Sequence, residues 1–546
     1  MKRKAVAAVL TAVMVASMFT GCGSDNGSSS AKSASAASAA SAANDTVDED
    51  GKVNGIMYQE GLPLVDEGDY TFSIFCDDSS ESGEFIMLDE FKKQTNVDVD
   101  LKIYPYETAT ERLNLDLNSG DYADVIGGWT LSDNAILTYG VNQGVFIPLE
   151  DYFEKYCPNI SAILDLPGVR EKMTAPDGHI YTIPYVCADS TVGYSPYINT
   201  KWLENVGMSM PTTTDEFEAV LKAFKEQDAN GNGDASDEIP FSTDPNNKHI
   251  EAMAGYFGLP MNKLGIAIQN EKVVYGGVSD TYREFLSWFS GMYQKGLIDT
   301  ELYTQDSSTW EGKGNQDLYG VSIAYGSNEF TGIPAAEERG DFDSMPVLNT
   351  DKGGIWLRDT EGFSVYRTQA VITNKAEHPE IICRWFDNAF ALENGIGCNR
   401  GPVGVIVNKE DDGYHAIDTT TLSEEDQEKY SWSNLWPQSL PKYLPADFEF
   451  VEEHPMYDEK KATEEAYEAN LTKEIIPSYW IDLDKIDTFS DTNTAIKDFF
   501  EQQQAQFVCG ELDIDNDADW QAYVDGMYSL GLEDWVATQG IEEIAK

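Results

Sequence analysis

Between residues 70 and 139 the spacing of apolar residues switches repeatedly between two periods. Tyr70 to Asp77 (YTFSIFCD), Val97 to Tyr104 (VDVDLKIY) and Asp124 to Trp129 (DVIGGW) read as strands. Each is followed by a segment of helical spacing: Glu84 to Thr95, Glu107 to Leu117 and Ser132 to Tyr139. Strands separated by helices of about 10–15 residues build a parallel sheet covered on both faces. The first folded part is therefore α/β.

From about Asn199 the helices lengthen. Asp215 to Gln227 carries an apolar stripe (Phe217, Val220, Leu221, Phe224), and the TTTDE run at Thr212 to Glu216 supplies its cap. Further helices are predicted over Thr281 to Gln294, Pro379 to Ala391, Lys460 to Leu471 and Asn493 to Gln506. Leu318 to Ala324 reads as a buried strand and Gly362 to Thr373 as a long one. A chain of 546 residues exceeds one core, since cores stop growing at about 250–300 residues. We read two α/β lobes, 51–195 plus about 355–425 and 196–354 plus about 426–546, with the chain crossing between them more than once.

The net charge of −58 excludes a nucleic-acid partner, because phosphate recognition needs clustered Lys and Arg and no basic run follows Lys4. An anionic membrane surface would repel the folded part as well. The first residues differ in kind. Lys2, Arg3 and Lys4 precede the apolar stretch Ala5 to Thr20, too short to span comfortably as a permanent helix, and together they read as a signal peptide over 1–21. It ends in FTGC, which resembles the bacterial lipobox, in which the cysteine is acylated and becomes the new N-terminus; that cysteine is Cys22, and Phe19 stands where leucine is usual. An ordinary signal peptide with a chance cysteine is the plainer alternative. The Ser/Ala/Gly-rich stretch that follows, to about residue 50, cannot bury surface and reads as a flexible tether. Cys76, Cys157, Cys187, Cys383, Cys398 and Cys509 form no CxxC pair, so structural zinc is not indicated.

Three segments carry a family resemblance. Ala123 to Asp151 (ADVIGGWTLSDNAILTYGVNQGVFIPLED), Thr174 to Tyr185 (TAPDGHIYTIPY) and, most specifically, Tyr197 to Phe241 (YINTKWLENVGMSMPTTTDEFEAVLKAFKEQDANGNGDASDEIPF) resemble extracellular solute-binding lipoproteins of carbohydrate ABC transporters. The resemblance implies a two-lobed, periplasmic-binding-protein-like fold, each lobe a mainly parallel sheet with flanking helices, joined by crossing hinge segments. It also implies an oligosaccharide held in the cleft and delivered to the transmembrane subunits of an ABC permease. The protein would be a monomer, tethered through its lipid anchor to the extracellular face of the cell membrane.

Asp228 to Asp234 (DANGNGD) fits D-x-[DN]-x-[DN]-G, in which side chains at alternate positions of a tight loop converge on one calcium ion. An EF-hand would place a bidentate Glu at position twelve, where this chain has Ile239. In the related solute-binding proteins an Asp-Glu-Ile-Pro run follows a shortened loop, and its acidic pair ligates the ion. Here Asp237 and Glu238 stand in that run, one residue later than usual. The candidate ligands of a structural calcium are thus Asp228, Asn230, Asn232, Asp234, Asp237 and Glu238, against the alternative of a solvated Asn/Gly turn.

A pyranose offers an apolar CH face to an aromatic ring and a rim of hydroxyls to polar side chains. Such groups should cluster in loops at the C-terminal ends of strands. The candidates are Trp129, just past the third strand; Tyr185, Asp189 and Tyr194, on the way to the second lobe; Trp310 and Tyr325, flanking Leu318 to Ala324; and Trp432 and Trp436. Arg400 joins them as a possible clamp for an acidic sugar, beside Arg358 and Arg367, although a salt bridge is the plainer role. Most of the 11 Trp, 28 Tyr and 24 Phe must be core. No GxSxG, HExxH or P-loop occurs, and the reading is a binding protein, not an enzyme. A secreted polysaccharide-cleaving enzyme, or the same fold binding a peptide, are the alternatives.

Overall fold

The strand Tyr70–Asp77 lies inside a four-stranded sheet. Val97–Tyr104 pairs parallel with it along its whole length, Tyr70 opposite Val97 and Asp77 opposite Tyr104. Val125–Gly127 lies parallel on its other side, and Ala370–Ile372 closes that edge antiparallel. Ile74 to Asp77 are all buried, as a strand covered on both faces requires. The covering helices Ile86–Thr95 and Tyr106–Ser119 begin and end within two residues of their expected bounds.

The computed structural model describes residues 45–545 apart from 79–83, 246–248, 333–339, 446–447, 449 and 452–454, all within one compact unit. The signal peptide, the lipidation candidate Cys22 and the tether up to residue 44 lie outside the described residues. Residues 45–50, expected in the tether, are folded: Asp45 accepts hydrogen bonds from Tyr156 Oη at 2.8 Å and Asn54 Nδ2 at 2.9 Å. Among the described residues no helix is long and apolar enough to cross a membrane.

A second sheet has the order Phe342–Ser344, Ser195–Asn199, Tyr319–Ala324, Ile239–Thr243. Only the last pairing is parallel, so the expectation of a mainly parallel sheet holds for the first lobe and fails for the second. The cause is the direction of approach. Ser195–Asn199 brings the chain in from the first lobe and so runs away from the crossing, whereas Tyr319–Ala324 runs toward it, Ala324 opposite Ser195.

Each sheet has its own core. Phe72, Ile74, Trp385, Trp436 and Leu440 belong to the first; Trp202, Phe217, Phe241, Tyr256, Trp356 and Phe500 belong to the second. The first core thus reaches Leu440, beyond the expected change of lobe near residue 425. The helix Thr214–Glu226 is capped as the sequence requires. Thr213 Oγ1 accepts from Glu216 N at 3.2 Å, and Glu216 Oε2 accepts from Thr212 N at 2.9 Å.

Among the described residues the chain passes between the cores five times. Val186 lies in the first and Val192 in the second; Trp356 lies in the second, and Phe363 packs against the first. After Leu440 of the first core, Tyr467, Leu471 and Ile476 pack in the second, Ile481 packs with Ile126 of the first sheet, and Ile496 lies in the second core again. Two short ladders tie the crossings together: Tyr185–Ala188 antiparallel to Phe363–Tyr366, and Trp356–Arg358 parallel to Leu471–Ile475.

Candidate ligand site at the lobe crossing

Two tryptophans remain exposed at the C-terminal edge of the first sheet, Trp129 at 46% and Trp432 at 51%. Both are positioned from the end of the strand Tyr70–Asp77. The buried Asp77 carboxylate accepts from Trp129 N at 2.9 Å and Thr130 N at 2.6 Å. Burial pushes the Asp77 carboxyl upward, against the pull of those two N–H groups. The turn needs Gly128: its φ is +131°, and a Cβ there would come within 2.2 Å of Asp77 Oδ1. The next residue, Asp78, accepts from Gln438 N at 2.8 Å, and Gln438 Nε2 donates to Trp432 O at 2.9 Å. Consecutive carboxylates therefore hold the two exposed rings.

Behind Trp129 stand Tyr366, edge-on at 5.3 Å, and Tyr185 at 6.4 Å. Beneath Trp432 lies Lys442, with Nζ 5.3 Å from the ring centroid; burial brings this amine down to about 8. On the second lobe Tyr194 stacks on His249 at 4.1 Å and meets Tyr325 edge-on at 6.1 Å. Burial lowers His249 to about 4, so it is a neutral ring at ordinary pH. Lys460 sits 3.8 Å from the Tyr325 ring centroid and donates to Gly193 O at 2.6 Å and Tyr325 O at 2.7 Å. Glu464 Oε1 accepts from Ser190 Oγ and Thr191 N, both at 2.8 Å.

Of the expected ligand residues, the structure gathers Trp129, Tyr185, Asp189, Tyr194 and Tyr325 about the crossing, with Trp432 linked to Trp129 through Asp77 and Asp78. Three expectations are corrected. Trp310 is buried among Tyr319 and Phe330, its Nε1 donating to Ser322 Oγ at 3.1 Å. Trp436 is fully buried and stacks on Trp385 at 5.7 Å. Arg400 is half-buried over Phe450 and donates to Asn399 O, and loss of solvent lowers it to about 10. The two tryptophans are packing residues, and Arg400 lays its guanidinium over Phe450.

The sequence reading missed Tyr366, His249, Lys442 and Lys460. Tyr366 lay inside what read as one long strand, and His249 lacks any ligand-like spacing. The two lysines meet their partners only through tertiary structure. A cavity of about 610 Å³ also lies at the crossing, between Asp133 of the first lobe, Leu264 of the second and Arg358 and Tyr479 of the crossing segments; none of the aromatic residues above lines it.

The loop Asp228 to Glu238 is folded around its acids. Asn230 Nδ2 and Asn232 Nδ2 donate to the two oxygens of Asp237 at 3.2 and 2.7 Å, and Asp228 Oδ2 accepts from Gly233 N at 3.0 Å. Gly233, at φ +95°, makes the turn. Asp228 Oδ1 and Glu238 Oε2 are buried with no hydrogen-bond partner among the described residues. Two orphaned carboxylate oxygens in one small loop fit a hard cation that prefers oxygen ligands. Ile239 opens the strand Ile239–Thr243, which leaves Glu238, not position twelve, to turn into the loop. Asp234 instead faces Ser236, accepting from its N and Oγ.

This architecture is a two-lobed α/β fold of the periplasmic-binding-protein type, and the chain belongs to the bacterial extracellular solute-binding protein family, whose profile matches residues 78–395. A relative is the fructooligosaccharide ABC transporter substrate-binding protein FusA of Streptococcus pneumoniae, 32% identical over 411 residues, 73% of this chain and 70% of FusA. The structure of S. pneumoniae FusA in complex with kestose matches with a TM-score of 0.76 at 27% identity, over 86% of this chain and 98% of that one. That of a FusA EF-hand mutant in complex with fructo-nystose matches at 0.73, with the same identity and coverage.

Proposed function

We propose that this chain is the capture subunit of an ABC importer for an oligosaccharide. One observation carries the reading: Trp129 and Trp432 are left exposed at the C-terminal edge of a parallel sheet, each held from behind by hydrogen bonds. In a solute-binding protein such rings offer stacking platforms for the CH faces of sugar residues. FusA, whose structure holds kestose, supports a carbohydrate cargo. The lobes close over the sugar, and the closed form docks on the permease transmembrane subunits. Binding and release, without bond cleavage, is the whole of this role. Cys22 anchors the protein to the extracellular face of the membrane as a tethered monomer, and calcium held by Asp228 and Glu238 pins the loop.

The test is a set of melting curves on residues 23–546 with kestose, a uronic-acid oligosaccharide and a short peptide in turn. A ligand at about 100 times its Kd adds roughly 2.7 kcal/mol. A rise with one sugar class, and the sugar recovered intact, supports capture. Sugar recovered in fragments would transfer the case to a cleaving enzyme, and a shift with peptide alone would change the cargo.

A further inference from the structure

Asp189 stands where the first crossing leaves one core for the other, between Val186 and Val192. A carboxylate meant for ligand hydroxyls should keep lone pairs free, yet this one is committed on both oxygens. Oδ1 accepts from Tyr325 Oη at 3.0 Å and from Ser190 N at 2.9 Å. Oδ2 accepts from Ser364 Oγ at 2.5 Å and from Tyr366 Oη at 3.1 Å. Its main chain is fixed too, Asp189 N donating to Gly362 O at 3.1 Å.

These partners belong to different rigid parts. Ser364 and Tyr366 lie on Phe363–Tyr366, which is laddered to Tyr185–Ala188 beside the first core. Tyr325 follows Tyr319–Ala324 of the second sheet and is fixed there from two sides. Its N donates to Glu329 Oε2 at 2.9 Å, and Lys460 covers its ring. Any rotation of the lobes about the stretch 189–191 separates Tyr325 from Asp189 while the Ser364 and Tyr366 bonds travel with it.

We propose that Asp189 is a positioning residue that latches the lobes, one oxygen on each, and that it links the latch to the ligand platform. Tyr366, held by Oδ2, is the ring packed edge-on against Trp129. A solute seated on Trp129 therefore presses on a side chain that shares its acceptor with the opposite lobe. Hydrogen bonds to a charged acceptor are the stronger kind, so losing the Tyr325 arm should shift the population ratio between lobe arrangements about tenfold. This inference rests on the two-lobed fold and on no particular cargo.

The test needs no ligand. Dyes are attached through non-natural azido residues at Lys102 and Lys222, one exposed position on each lobe, and single-molecule energy transfer is recorded on the free protein. Tyr325→Phe removes one oxygen and keeps the ring under Lys460; Asp189→Asn keeps the shape and removes the charge. Each should raise the ratio of molecules outside the main population about tenfold, and the double variant should do no more than either single one. Unchanged distributions in both single variants, or shifts that add in the double, would overturn the latch. Melting curves of Tyr325→Phe show whether its molecules are folded, and a loss of sugar binding without a change in distribution counts against the latch and leaves the proposed cargo standing.

Discussion

Trp129 and Trp436 look alike in sequence, each an aromatic in a turn-rich stretch, and the structure gives them opposite fates. Trp129 follows Gly128, whose missing side chain lets Asp77 seize its N–H and leaves the ring outside. Trp436 is drawn inward by Trp385 and Phe91, and its Nε1 donates to Leu440 O at 3.3 Å. The strand-end position of Trp129 was legible because a parallel strand must deliver its next residues to the cleft edge. The burial of Trp436 was not, because the rings that cover it, Trp385 and Phe91, lie tens to hundreds of residues away. Trp129→Ala should weaken sugar binding about 30-fold, roughly 2 kcal/mol for a central aromatic anchor, with little change in melting temperature. Trp436→Ala should do the reverse, lowering stability by about 3–5 kcal/mol through an unfilled core volume. Calorimetric titration with kestose, set beside denaturant unfolding, separates the two.

Among the elements, those fixed by local chemistry were read almost to the residue. Thr214–Glu226 starts where Thr213 and Glu216 satisfy its first N–H groups, so Thr213→Ala should cost about 1 kcal/mol in denaturant unfolding and leave sugar affinity alone. Gly362 to Thr373 read as one strand and is two, Phe363–Tyr366 and Ala370–Ile372, in different sheets. The break is Arg367, turned inward to pair with Asp133, donate to Tyr479 O at 2.8 Å and lie 4.1 Å from the Trp480 ring centroid. No local pattern announces an arginine with three distant partners. The Asp228 loop was legible as a motif; the structure adds that Asp228 Oδ1 and Glu238 Oε2 are its buried oxygens without a hydrogen-bond partner among the described residues. A chelator should lower the melting temperature of the wild type, and Asp228→Ala should abolish that response; a variant that still responds would place the calcium elsewhere.

For the molecule as a whole, the excess of acid sets how stability follows pH. A net charge of −58 makes the folded state repel itself, and the lobe crossing concentrates carboxylates about one amine. Burial, with Asp244 and Glu311 nearby, raises Glu329 to about 7. Lys460, also buried, is brought down to about 8. The sign follows from proton binding. Between the ordinary carboxylate range and pH 7 the folded protein holds a proton on Glu329 that the unfolded chain has lost. Its contribution to stability is present in full below about pH 4 and is lost as pH rises through 7. Lys460 acts above that window: the unfolded chain holds its proton where the folded one does not, so its contribution grows as pH rises from about 8. Stability should therefore fall from pH 5 to pH 7.5, and Glu329→Gln, which keeps the acceptor for Tyr325 N without the titration, should flatten that fall. Comparing the two slopes in guanidinium unfolding cancels the general repulsion that both proteins share. Equal slopes would mean that Glu329 titrates as an ordinary surface acid and that the crossing is open to water.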